Sequence, residues 1–241
     1  MRRRLSTHPC LFLSMLVVLL SVSVQAQEKN PIFHGVNFEQ LEYRFGDDTD
    51  VVAWDADALV GTDEWKFRIQ SKAEYETRPD IFETLEHQFL VQRLWSDFFD
   101  LKAGIRLDMP KGPDRVYGVI GIQGLAPQWF EIDADLFVSE NAAVSARLDS
   151  NYELLITNHW ILTPTVEVDV GFSDDEEIGL GAGLRKAEAG LRLSYDLVDR
   201  SVAPYVGIHY MHLFGETRQL ARNDGEATED LFLTAGVRLR F

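Results

Sequence analysis

Beyond Cys10 the sequence contains no cysteine, so disulfides and thiolate metal sites are excluded for everything downstream. Beyond residue 26 no stretch approaches the roughly 18 consecutive apolar residues that a spanning helix needs. Any membrane crossing there must be made by strands closed into a barrel. Positive charge is scarce as well: 23 Lys and Arg stand against 39 Asp and Glu, a net charge of −16. That balance argues against nucleic acid or anionic lipid as the main partner and favours cations.

The first residues carry a different pattern. Arg2, Arg3 and Arg4 precede an apolar run from Leu11 to Val24, and the small-residue site Val24-Gln25-Ala26 follows. This reads as a secretory leader, residues 1–26, cleaved near Ala26. The leader holds three basic residues and no acidic one, so its removal would take the charge from −16 to about −19. Cys10 lies upstream of the apolar run, which excludes it as a lipoprotein acylation site. The remaining chain of roughly 215 residues is long enough for one all-β domain held by burial and backbone pairing.

Along that domain the hydrophobic period is two. Trp65, Phe67, Ile69, Ala73 and Tyr75 alternate with Glu64, Lys66, Arg68, Gln70, Lys72, Glu74 and Glu76. Phe99, Leu101, Ala103, Ile105 and Leu107 oppose Asp100, Lys102, Arg106 and Asp108. The spacing predicts roughly twelve strands near 36–46, 51–60, 64–76, 82–93, 98–108, 116–124, 129–139, 142–156, 160–172, 184–196, 203–214 and 231–241. The last strand ends on an aromatic residue, Phe241, which resembles the sorting signal of bacterial outer-membrane barrels. An even number closes a barrel with both ends on one rim. The gaps on that rim are all short, whereas the opposite rim holds 109–115, 173–183 and 215–230, the asymmetry of periplasmic turns and outer loops, to which the short gap near 140 is an exception. Residues 27–35, with Pro31, are expected to form an irregular arm before a barrel spanning 36–241.

Alternation alone also fits a soluble sandwich or a lipocalin-like barrel with its apolar face inward. Two features favour the membrane form. The polar face carries charges of both signs on strand after strand, and aromatics gather near strand ends at Tyr43, Trp54, Trp65, Phe99, Trp129, Tyr152, Trp160 and Phe241, as in interfacial girdles. The expected fold is therefore an all-β, closed antiparallel transmembrane barrel of about twelve strands.

Several blocks resemble one family. They are Gln40-Leu41-Glu42-Tyr43-Arg44, Ala53-Trp54-Asp55-Ala56, Asp100-Leu101-Lys102-Ala103-Gly104-Ile105-Arg106 and Gln123-Gly124-Leu125-Ala126-Pro127. Tyr152-Glu153-Leu154-Leu155-Ile156-Thr157-Asn158, Glu188-Ala189-Gly190-Leu191-Arg192 and Ala203-Pro204-Tyr205-Val206-Gly207 follow in the same order. Together they are similar to the copper resistance protein B (CopB/PcoB) family of outer-membrane proteins. The resemblance implies a Gram-negative outer-membrane location, copper as the ligand, and a periplasmic multicopper oxidase of the CopA/PcoA type as partner. Many family members carry a Met- and His-rich stretch before the barrel; here 27–35 offers only His34.

The soft-ligand inventory is correspondingly short: His34, His87, His159, His209 and His212, with Met109 and Met211. His209 and Met211 are two apart on one strand and so share a face, which points into the lumen in the register that sends Val206, Ile208 and Tyr210 to lipid. They are the candidate copper ligands, the alternative being ordinary lumen filling. His212 should face outward near the rim, His87 should be a packing or rim residue, His159 a solvated turn residue, and Met109 part of an outer loop. Asp55 with Asp57, and Asp133 with Asp135, share inward faces and are expected to pair with Arg68, Arg106, Arg147, Arg192 and Arg238. The acidic run Asp174-Asp175-Glu176-Glu177 reads as a solvated loop. The 215–230 gap, with Arg218, Arg222, Asp224, Glu226, Glu229 and Asp230, is expected to fold over the mouth by salt bridges.

Gly179-Leu180-Gly181-Ala182-Gly183 precedes a strand pattern rather than a helix, so it is no dinucleotide loop. No His-x-Ser occurs past the leader, which removes the motif of an outer-membrane phospholipase. The expected function is binding of copper, or its passage across the outer membrane, without enzymatic activity. The alternative is a general porin-like or structural barrel without specific metal binding.

Overall fold

The computed structural model describes residues 31–241, apart from Lys111 and the Glu176 side chain. The leader, its cleavage site near Ala26 and residues 27–30 of the arm lie outside the described residues. Twelve antiparallel strands follow in chain order: β1 (Phe33–Phe45), β2 (Val51–Gly61), β3 (Trp65–Glu76), β4 (Ile81–Ser96), β5 (Phe99–Asp108) and β6 (Arg115–Ala126). The second half holds β7 (Phe130–Ser139), β8 (Val144–Asn151), β9 (Trp160–Gly171), β10 (Gly183–Tyr195), β11 (Val202–Leu213) and β12 (Glu229–Arg240). Each pairs with its sequence neighbour, and β1 pairs with β12 through Tyr43 opposite Ala235 and Arg44 opposite Thr234, which closes the barrel. Closure leaves no unpaired sheet edge, the condition for strands to sit in hydrocarbon.

The alternation resolves into a lipid face and a lumen face. Phe67, Leu101, Ile105, Val206, Ile208 and Leu233 are exposed on the outside, while Glu42, Arg44, Glu86, Lys102 and Arg192 are buried inside. Such a surface is intelligible only with lipid around it, since exposed apolar residues otherwise form no continuous belt on a soluble protein.

Two irregularities depart from the expected strands. The first strand starts at Phe33, so residues 33–35 belong to the sheet and not to the arm. Within it a bulge between Phe38 and Gln40 inverts the parity: Asn37 reaches inward to Asp57 on one side, Glu42 and Arg44 on the other. An extra residue is what re-aims a strand in this way. The predicted strand 142–156 breaks at Tyr152 and Glu153, and only Leu154–Leu155 resume pairing with β9. Opposite the break lies Pro164, whose carbonyl accepts from the Tyr152 amide but which has no N–H to return.

The rims differ as expected. Near the chain ends the strands are joined by short turns, including Pro127–Trp129, whereas the opposite rim carries the long connections. The 215–230 gap is more than a loop folded by salt bridges. It contains a helix, α1 (Gly215–Asp224), terminated by Gly225 at φ 77°, a left-handed position that glycine adopts without steric cost. The Gly181 amide donates to Thr217 Oγ1 at 3.0 Å, and Arg185 donates to the carbonyls of Gly181 (2.7 Å) and Ser173 (2.8 Å). Hydrogen bonds to backbone thus tie α1 and the 172–182 loop to β10.

The acidic run is likewise engaged and not merely solvated. Arg115 donates to both Asp175 oxygens at 3.1 Å and also pairs with Glu177, and Asp174 accepts from the Ala182 amide at 2.5 Å.

Candidate metal centre in the barrel lumen

Alternation places one side chain in two inside a narrow barrel, so the charges it carries must find partners. Arg192 grips Glu42 through two contacts of 2.8 Å, Tyr205 Oη donates to the same carboxylate at 2.9 Å, and Arg44 Nε holds its other side at 2.8 Å. Farther round, Arg106 and Arg147 share Glu86 at 2.9 and 3.0 Å, and Lys72 pairs with Glu167. Asp55, Asp57, Asp133 and Asp135 do line the lumen. Asp57 has the expected arginine, Arg68, at 3.6 Å. For Asp133 and Asp135 the partner is not an arginine but Lys102, whose side chain has no exposed surface. It fits there because Gly121 faces it: a Cβ at that position would lie 3.0 Å from Lys102 Cε and closer still to Asp135.

Two cavities lie in the lumen among the described residues. The larger, about 650 Å³, reaches the short-turn rim at Asp97 and Phe98; the smaller, about 90 Å³, reaches the long-loop rim at Asp48, Thr49 and Ala227. Both are lined by Arg44, Glu188 and His209, which therefore form a waist between them. At this level Glu74 on β3, Glu188 on β10 and His209 on β11 each offer a ligand atom, all within 4.8 Å of one another. β3 and β11 are separated by three strands in the sheet, so the group spans the lumen. His209 Nε2 is 3.6 Å from Glu188 Oε2, and its Nδ1 is buried with no hydrogen-bond partner among the described residues. Met211 pairs in register with Glu188 and Asp230, and lines the smaller cavity beside the same groups.

Imidazole, thioether and carboxylate together suit a borderline or soft cation better than carboxylates alone. A buried imidazole nitrogen without a partner normally costs free energy, and a metal ion would satisfy it. The donor set fits copper on that observation.

The other candidates fall where their strands send them. His212 faces outward at the long-loop rim, 3.2 Å from Glu229 and hydrogen-bonded with Tyr210 at 3.2 Å. His159 is exposed in a turn and stacks on Tyr195. His87 lies between the inward Glu86 and Gln88 and so points outward, His34 is exposed on β1, and Met109 is exposed after β5. None of these five residues belongs to the waist. Sequence reasoning missed Glu74 and Glu188 as members of the site, because their approach depends on the stagger of strands across the barrel. The weak signal was the parity of Glu188, two residues from Lys186 on an inward face.

Comparison with known proteins gives both family and fold. The family model described as "Copper resistance protein B precursor (CopB)" matches residues 32–241. Copper resistance protein B of Escherichia coli is 36% identical over 206 residues, covering 86% of this chain and 69% of that protein. The copper resistance protein B homolog of Pseudomonas syringae pv. tomato is 33% identical over 207 residues, 84% of this chain and 68% of its own. Among solved structures the NanC porin superposes with a TM-score of 0.52 at 13% identity, covering 86% of this chain and 99% of that one. At that identity the likeness speaks for the barrel alone.

Proposed function

Because this chain belongs to the copper resistance protein B family, we propose that it binds copper ions at the waist formed by Glu74, Glu188, His209 and Met211 and lets them cross the outer membrane there. The role in copper resistance comes with the family, and association with outer-membrane lipid comes with the barrel. With short turns in the periplasm and long loops outside, the small cavity faces the medium and the large one the periplasm. Asp48, Glu76, Glu83 and Asp230 line the outer cavity, which draws cations toward the waist.

The observation that carries the reading is the orphaned Nδ1 of His209 beside two carboxylates at the junction of the cavities. The barrel acts without catalysis in this account. Export by a leader cleaved near Ala26 delivers it, and a periplasmic multicopper oxidase is the receiver that the family resemblance suggests for copper reaching the large cavity. The test is copper tolerance of a strain lacking the protein, complemented with the parent or with His209→Ala/Met211→Ala. The parent should restore tolerance and the double variant should not, at equal barrel levels in the outer membrane. Equal tolerance with both would leave a general channel whose link to copper does not run through this site.

A further inference from the structure

The two carboxylates of the waist are not free. Lys186 Nζ lies 2.6 Å from Glu188 Oε1, and Arg44 Nη1 lies 2.5 Å from Glu74 Oε1. We infer that Lys186 is the selectivity determinant of the waist: a tethered counter-cation that an entering ion must displace from Glu188, so that charge alone does not gain entry. This rests on the reading of the waist as a copper site.

The two basic residues are not equivalent. Arg44 is held by Glu42 as well as Glu74 and is almost wholly buried, so losing one contact leaves it paired. Lys186 has one acid within ion-pair distance among the described residues, Glu188, and its side chain is 26% exposed toward the small cavity. Glu76, Glu83 and Asp230 line that same cavity, so a displaced ammonium has carboxylates to turn to on a flexible stem.

Charge balance then sorts the ions. Glu74 and Glu188 are matched by Arg44 and Lys186, so a metal ion added to the filled waist would bring uncompensated charge into a poorly solvated place. It must exchange for Lys186, which is covalently held and therefore present at high effective concentration. Sodium, magnesium or calcium offers Glu188 only what the ammonium already offers. Copper gains the His209 imidazole and the Met211 thioether besides. The lysine thus excludes hard cations that the acidic outer mouth attracts.

The test is calorimetric titration of the purified, detergent-solubilised barrel and of Lys186→Met with Cu(II), Mg²⁺ and Ca²⁺. The variant should bind Cu(II) about tenfold tighter or better, and should acquire Mg²⁺ or Ca²⁺ binding that the parent lacks. Lys186→Arg should restore the parent's discrimination. Heat modifiability on gels reports assembly, and Lys186→Gln carries the same expectation should the Met variant not assemble. If the parent binds Cu(II), His209→Ala weakens it and Lys186→Met leaves affinity and discrimination unchanged, the selectivity role is wrong while the copper site stands. If neither parent nor variant binds Cu(II), the site reading fails and the inference with it.

Discussion

Two buried clusters in this lumen look alike in composition and differ in what they can do. Around Lys102, one ammonium with no exposed surface is clasped by Asp133 and Asp135 under Gly121. Around His209, two carboxylates are paired with Arg44 and a partly exposed Lys186, and an imidazole nitrogen and a thioether stand by. In the first cluster the cation itself is wholly enclosed, and both acids are paired with it, although they border the large cavity. The second lies between two cavities and has an unsatisfied donor site. A cation buried with its acids braces the wall, whereas a cation that borders open space can be exchanged.

The largest effect should come from the Lys102 cluster. Lys102→Met leaves two neighbouring carboxylates without their cation, and loss of one partner of a buried ion pair costs on the order of 3–5 kcal/mol. Urea unfolding of the barrel in lipid vesicles, followed by tryptophan fluorescence, should show that loss; copper binding by the folded fraction should be unaffected. A stability equal to the parent would erase the contrast between bracing and exchange.

The reverse is expected of the open cluster. His209→Ala/Met211→Ala should change stability by no more than about 1–2 kcal/mol, because Nδ1 has no partner to lose and Nε2 only a 3.6 Å contact with Glu188, yet weaken Cu(II) binding by about tenfold or more, roughly 1.4 kcal/mol. Stability and affinity falling together would mean that the two clusters are of one kind.

Smaller still is the effect at the outer mouth. Thr217→Val removes the acceptor of the Gly181 amide, a bond of about 1 kcal/mol, and should loosen α1 from the 172–182 loop. Single-channel recordings in planar bilayers should show higher or noisier conductance; an unchanged record would detach the helix from access to the waist. At the exposed end of the scale, Arg200 stands 4.0 Å from Glu153 with its side chain 52% exposed, and Arg200→Ala should shift stability by less than about 0.5 kcal/mol in the same unfolding assay.

Much of this was legible in the sequence, and the limits have physical causes. Period two located all twelve strands within a few residues and placed His209 with Met211 on the inner wall, because side-chain direction within a strand is local. What lies across the barrel is not local. Glu74 meets His209 through the stagger accumulated over the intervening strands, and Lys102 reaches its aspartates because Gly121 clears the way. The break at Tyr152 was written in Pro164, one strand over. Helix α1 did leave a signal, the run from Glu216 to Arg222 before Gly225, but its charges read equally well as a loop.

The central claim is that His209 holds copper at the waist. Electron paramagnetic resonance of Cu(II) bound to the purified barrel addresses it most directly, since a coordinated imidazole imprints nitrogen hyperfine structure on the copper signal. The account predicts that structure in the parent and in Lys102→Met, and its loss in His209→Ala; the same nitrogen pattern in His209→Ala as in the parent would contradict it.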